Sequence, residues 1–94
     1  MARVVITAKV KNVAAWEKSF RSHGELFRSQ PGESPYLIGS TDSSEVAVSA
    51  EVPDSDIGAY LESLQSRETL DAMAADGVNR ESVKVFVLDR QFKF

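Results

Sequence analysis

One histidine and one tryptophan occur in the 94 residues, and both lie in the stretch WEKSFRSHGELF, Trp16 to Phe27. They are seven positions apart. That is about two turns of α-helix, so on a helix the two side chains share a face. At helical spacing the same arc collects Val13, Trp16, Phe20, His23, Gly24 and Phe27. Imidazole is well suited to proton transfer near neutral pH. Set among aromatic rings, it is also the kind of polar handle that a mostly apolar ligand pocket carries. His23 is therefore the candidate catalytic residue, as an acid/base or as a hydrogen-bond donor to a substrate oxygen. Trp16, Phe20, Phe27 and Tyr60 are the candidate walls, and Thr7 is a further candidate contact. A structural reading stands beside this one. A histidine facing a sheet needs a partner for its ring nitrogens, and a backbone carbonyl or a hydroxyl such as Thr7 or Ser49 would serve.

Other chemistry finds little support in the chain. There are no cysteines, hence no disulfide, thiolate metal site or cysteine nucleophile. No two carboxylates have a spacing that suits paired acid/base work. A lone histidine cannot hold a metal without carboxylate help, and the apolar arc offers none at the right spacing. No metal and no cofactor are expected. Net charge is −3, with an isoelectric point near 5.1, which argues against nucleic acid, whose binding draws on a basic surface. No apolar run is long enough to span a bilayer. The N-terminal MARVVITAKV is too short and too alternating for a signal peptide. A cytoplasmic protein is expected, with no membrane and no nucleic-acid partner.

The elements that must position these residues can be read from periodicity. RVVITAKV, Arg3 to Val10, is a β-branched strand, and Asn12 after it suits a helix cap. A helix is expected from about Val13 to Ser29, stopped by Pro31 and Gly32. Glu17, Arg21 and Glu25 on its outer side are spaced for ion pairs. Ser34 to Thr41 and Glu45 to Val52 form a hairpin around Asp42, Ser43 and Ser44. Asp54 is the expected cap of a second helix carrying Ile57, Tyr60, Leu61 and Leu64. Ser66 caps a short helical continuation carrying Leu70, Met73 and Ala74, and Gly77 ends it. SVKVFVLDRQFKF reads as a last strand. The order is βαββαβ, an α+β ferredoxin-like fold with a four-stranded antiparallel sheet and its helices on one face. Residues 1–94 form a single domain.

The sheet face away from the helices is also apolar, with Val5, Leu37, Ala47, Phe86 and Leu88 among its candidates. Such a face marks an interaction surface, and a homodimer through it is expected. The alternating DRQFKF at the C-terminal end suits a strand extension that pairs with a partner chain. Glu51, Asp89 and Arg90 are candidates for an interface ion pair.

With this element order, KVKNVAAWEKSFRSHGELF and SRETLDAMAADGV resemble the dimeric α+β barrel superfamily over nearly the whole chain. The superfamily includes antibiotic-biosynthesis monooxygenase-like domains and small cyclase-like bacterial proteins. The resemblance implies two sheets packed face to face in a dimer, and a cleft between each sheet and its helices. Its members include cofactor-free oxygenases of aromatic polyketides, haem-degrading proteins, lactone isomerases and proteins without known activity. Haem-degrading members take a histidine from the second helical region, whereas His23 belongs to the first. The oxygenases' assisting asparagine and tryptophan have no counterpart, since Trp16 is on the first helix and Asn79 in a loop. Those roles are not carried over.

The first of two readings is a small homodimeric enzyme acting on an apolar, cyclic or aromatic small molecule, similar to a cofactor-independent monooxygenase or a cyclase/isomerase. The second is a non-catalytic dimeric ligand-binding or interaction module.

Overall fold

The computed structural model describes residues 2–23 and 33–93. Strand β1 is Ala2–Lys9, helix α1 Val13–Ser22, β2 Glu33–Ser40 and β3 Glu45–Val52. A 3-10 turn, Asp54–Asp56, leads into α2, Ile57–Ser63; α3 is Arg67–Ala75. A second 3-10 turn, Arg80–Ser82, precedes β4, Lys84–Leu88. The strands form one sheet in the order β2-β3-β1-β4, with every neighbouring pair antiparallel. This is the α+β ferredoxin-like βαββαβ arrangement.

The cross-strand register assigns the two faces. Val4 pairs with Ala50 and Val87, Ile6 with Val48 and Val85, and Ala8 with Val46. Side chains alternate along a strand, so these residues share one face. Ala8 and Val46 form a buried cluster with Val10 and Trp16, so this is the face that α1 covers. Thr7, Ala47, Ile38 and Lys84 share the register on the opposite, open face. So do Val5, Ser49, Tyr36 and Phe86. Leu37, expected on the open face, pairs with Val48 and belongs to the helix side, packed against the Trp16 cluster.

Packing under the helices divides into two clusters. Val4, Val52, Tyr60 and Leu64 form one, with Ile6, Ile57 and Leu61 against it. Ala8, Val10, Trp16 and Val46 form the other, with Val13, Phe20, Leu37, Val48, Val78 and Val83. The boundary runs between Ile6 and its cross-strand partner Val48. Along the edge strand, Val85 and Val87 lie on the helix side yet remain 40% and 38% exposed. The helices therefore leave the β4 margin of this face uncovered.

Several details differ from the sequence reading. Helix α1 ends at Ser22 with His23 at its C-cap; the expected continuation to Ser29, with Gly24, Glu25 and Phe27, falls outside the described residues. Asp54 opens a 3-10 turn rather than capping a helix, because Pro53 sets the chain into that turn directly. Ser66 does cap α3, accepting from the Thr69 N–H at 3.3 Å. The buried residues of α3 are Thr69 and Ala72, with Leu70 and Met73 half-buried and Ala74 exposed. Thr69 fits inside because its hydroxyl accepts from Ser66 Oγ at 2.9 Å. The last strand stops at Leu88, and residues 89–93 are not strand within this chain. Among the described residues, no helix is long and apolar enough to cross a membrane.

Candidate functional site around His23

The site begins with the cap that starts α1. Asn12 Oδ1 accepts from the Ala15 N–H at 2.8 Å, supplying a partner to one of the open N–H groups of the first turn. From that start, Trp16, Phe20 and His23 come round at helical spacing. Trp16 is 3% exposed against β1 and β3. Its ring meets that of Phe20 at a centroid distance of 5.4 Å and an angle of 47°, a tilted aromatic contact. On the outer side of the helix, Arg21 reaches Glu17 at 3.9 Å, an exposed pair that contributes a few tenths of a kcal/mol at about this spacing.

His23 does not reach Thr7 or Ser49, the hydroxyls expected as its partners. Both lie on the open face, with the sheet between them and α1. Ser49 is engaged by Arg3 Nη1 at 2.9 Å, and Arg3 Nη2 pairs with Glu51 at the same distance. Glu51 is thereby committed to Arg3 rather than to Arg90, whose guanidinium sits 5.5 Å from the Phe92 ring centroid.

The group that meets His23 is Asp76, from the end of α3. His23 Nδ1 lies 3.2 Å from Asp76 Oδ1, at ion-pair distance but without hydrogen-bond alignment. The imidazole side chain is 31% exposed and the carboxylate 2%. Ser19 Oγ donates to the same Oδ1. Ser19 and His23 are four positions apart on α1, so one helix face presents both polar groups to one carboxylate oxygen.

Asp76 is placed by the way α3 ends. Gly77 has φ +79°, the left-handed conformation that glycine adopts without strain. The Gly77 N–H donates to the Ala74 carbonyl at 3.2 Å and the Val78 N–H to the Met73 carbonyl at 3.1 Å. This is a Schellman ending with Asp76 at the C-cap. The chain beyond is then tied to the end of β1. Lys11 N–H donates to the Gly77 carbonyl at 3.3 Å, Asn79 N–H to the Lys9 carbonyl at 2.9 Å, and Val10 and Val78 form an isolated bridge. The end of α3 is thereby held beside the chain that leads into α1, and Ser19 and His23 reach Asp76 from further along that helix. A carboxylate at that end of a helix is disfavoured by the helix dipole, and its burial adds to the cost. Donors from α1 offset both.

On α1 the rings of Trp16 and Phe20 meet each other, while Ser19 and His23 meet Asp76; Ser19 and Asp76 are the residues that sequence reasoning missed. Tyr60 is 4% exposed but belongs to the other core cluster, with Val4, Val52 and Leu64. Burial there pushes its hydroxyl pKa above the usual tyrosine value. Phe27 falls outside the described residues. Thr7 instead lines a groove of about 640 Å³ that involves the open face, together with Lys9, Ile38, Ala47, Ser82 and Lys84. Among the described residues, no group of three or more histidine, cysteine or acidic side chains could hold a metal.

Solved structures share this architecture. The chain is similar to SnoaB, a cofactor-independent oxygenase from Streptomyces nogalater, at 18% identity and a TM-score of 0.68, covering 98% of this chain and 94% of that one. An antibiotic biosynthesis monooxygenase matches at 16% identity and a TM-score of 0.69, over 97% and 99% of the two chains. Rv0793 from Mycobacterium tuberculosis matches at 17% identity and a TM-score of 0.58, over 99% and 98%. No protein-family model matches the sequence, and no curated protein is significantly similar to it. The fold is that of the antibiotic-biosynthesis monooxygenase-like proteins.

Proposed function

We propose that the protein is a small homodimeric enzyme, cytoplasmic and cofactor-independent, that acts on an apolar cyclic or aromatic compound, with His23 as its acid/base. The observation that carries this reading is the approach of His23 Nδ1 to the buried Asp76 carboxylate at 3.2 Å, on a helix whose same side bears Trp16 and Phe20. Aromatic walls beside a histidine braced by a carboxylate are suited to taking a proton from an acidic ring carbon or hydroxyl. The ligand would lie on the helix side of the sheet, where Val85 and Val87 stay exposed beside the division between the two core clusters.

Two reactions fit such a base. Loss of a proton from an activated ring methylene gives a carbanion that dioxygen can oxidise. One oxygen atom then becomes a ring carbonyl and the other leaves as water with the two methylene hydrogens. The same deprotonation followed by reprotonation elsewhere on the ring is an isomerisation. The fold shared with a protein described as a cofactor-independent oxygenase supports the first. A thermal-shift screen of hydroxylated ring compounds is the test, followed by turnover of each hit under air and under nitrogen. Binding raises the melting temperature by mass action. A screen without stabilising compounds, or a His23→Ala variant that turns over a hit like wild type, sinks the proposal.

The homodimer is part of the same reading. Tyr36 (61% exposed), Ile38 (59%), Phe86 (45%) and Leu88 (53%) lie on the face away from the helices. Four large apolar side chains on one sheet face mark an association surface. A second reading is a non-catalytic dimeric module in which His23 only satisfies Asp76; burial of that carboxylate at 2% exposure favours it. The His23→Phe variant discussed below separates the two.

A further inference from the structure

Asp76 is a buried carboxylate with its side chain 2% exposed, and the acid/base role of His23 does not by itself explain why it is there. It occupies the C-cap of α3, where neither the helix dipole nor the surroundings favour negative charge. Two groups from α1 meet one of its oxygens. Ser19 Oγ donates to Oδ1, and His23 Nδ1 stands 3.2 Å from that same atom. Asp76 is anchored independently of α1, because the Gly77 turn and the Asn79–Lys9 hydrogen bond hold the end of α3 against β1.

We infer that Asp76 is the positioning residue for His23: its Oδ1 selects the imidazole tautomer with the proton on Nδ1, and Ser19 keeps that oxygen in place. The functional meaning rests on the proposed acid/base role of His23. A neutral ring with its proton on Nδ1 has its acceptor lone pair on Nε2, so the carboxylate decides which nitrogen takes the substrate's proton. The 3.2 Å approach sets Nδ1 against the carboxylate oxygen, which favours a proton on that nitrogen. Ser19 and His23 converge on a single oxygen.

The chain has one histidine, so nitrogen NMR of its imidazole reads this residue alone. Spectra of ¹⁵N-labelled protein are taken without ligand, at mildly alkaline pH where an ordinary imidazole is neutral. Wild type and Ser19→Ala should show mainly the Nδ1–H tautomer. Asp76→Asn should revert to mainly Nε2–H, the form preferred by free histidine, because the carboxamide can turn its N–H toward Nδ1. A wild-type protein that is mainly Nε2–H overturns the inference, as does an Asp76→Asn spectrum identical to wild type. Should Asp76→Asn fail to fold, the wild-type spectrum alone decides. These spectra involve no substrate, so their outcome is distinct from whether any ring compound is turned over. With a substrate in hand, Asp76→Asn should lower kcat by about 100-fold with little change in KM. An unchanged kcat beside a lost Nδ1–H tautomer would equally overturn the positioning role.

Discussion

Gly39 of β2 lies so close to Val13 of α1 that a Cβ on it would meet Val13 Cγ1 at 2.6 Å. That glycine lets the first turn of the site-bearing helix rest on the sheet. Gly39→Ala should push α1 outward at its start. Overpacking of this kind costs about 1–3 kcal/mol, with a melting temperature about 4–8 °C lower for each kcal/mol. Valine is stiff at χ1 and cannot easily turn away. The double variant Gly39→Ala with Val13→Ala should recover much of the loss, as melting curves of the three variants will show. Equal melting temperatures for wild type and Gly39→Ala would contradict the close approach.

Exposure on the two faces of β4 separates assembly from folding. Phe86 is on the open face and Val85 on the helix side. Phe86→Asp should leave a folded chain and shift the proposed dimer toward monomer in light scattering. Val85→Asp should spare the dimer and disturb the uncovered margin beside Ile6. A wild-type chain that is monomeric at micromolar concentration rules out the homodimer.

His23→Ala and His23→Phe distinguish the two readings of the site. In the structural case, His23→Ala takes the ring away from the buried Asp76 carboxylate and opens a void, and should cost about 1–3 kcal/mol. In the catalytic case the fold loses little and the response to a ligand hit disappears. His23→Phe refills the space without a ring nitrogen, so ligand binding falls while stability holds. Both variants binding a hit as wild type does would remove His23 from the site.

Tyr60 makes the alkaline limit of stability predictable. Its folded-state pKa is raised by burial above the ordinary tyrosine value of 10.0. Between pH 10 and that raised value, the unfolded chain releases the proton while the folded chain keeps it. Stability is therefore complete below the unfolded pKa and declines as pH rises through this interval. Tyr60→Phe should flatten the decline in denaturant titrations between pH 9 and pH 11, roughly one unit either side of the unfolded value. An unchanged slope would show that Tyr60 ionises as freely as in the unfolded chain.

Gly77→Ala tests how Asp76 is delivered. A Cβ there would make only ordinary van der Waals contact, with Cβ and Cγ of Lys11 at 3.8 Å. The cost should therefore come from the left-handed backbone alone, about 1–2 kcal/mol. Because the turn also sets the position of Asp76, the histidine tautomer should become more mixed in the same variant. A melting temperature equal to that of wild type would show that the turn tolerates a side chain.

Periodicity carried most of the architecture. The alternation in Glu45–Val52, the Asn12 and Ser66 caps and the Gly77 stop are local signals that the tertiary structure did not override. The burial of Thr69 on α3 was not legible. Leu70 and Met73 are more apolar than Thr69, yet Thr69 is the buried one. The hydroxyl pair Ser66–Thr69 makes that orientation possible. Asp76 escaped notice for the same reason. A carboxylate before a helix-ending glycine reads as solvated surface until α1 is laid beside it. The one available cue was its position at the unfavourable end of a helix dipole. Thr7 and Ser49 were misplaced because a strand flanked by apolar residues on both sides does not reveal which face meets the helices.

The tie between the end of α3 and the end of β1 also orders events in time. Lys9 N–H donates to Ser82 Oγ across 73 positions of sequence, and Ser19 reaches Asp76 across 57. Strand β1 is made before the others yet lies inside the sheet, between β3 and β4. Loop closures of this length are slow to find and come only after the intervening chain exists. During synthesis, Asp76 emerges more than fifty residues after His23, so the His23–Asp76 contact forms only once α3 has been made.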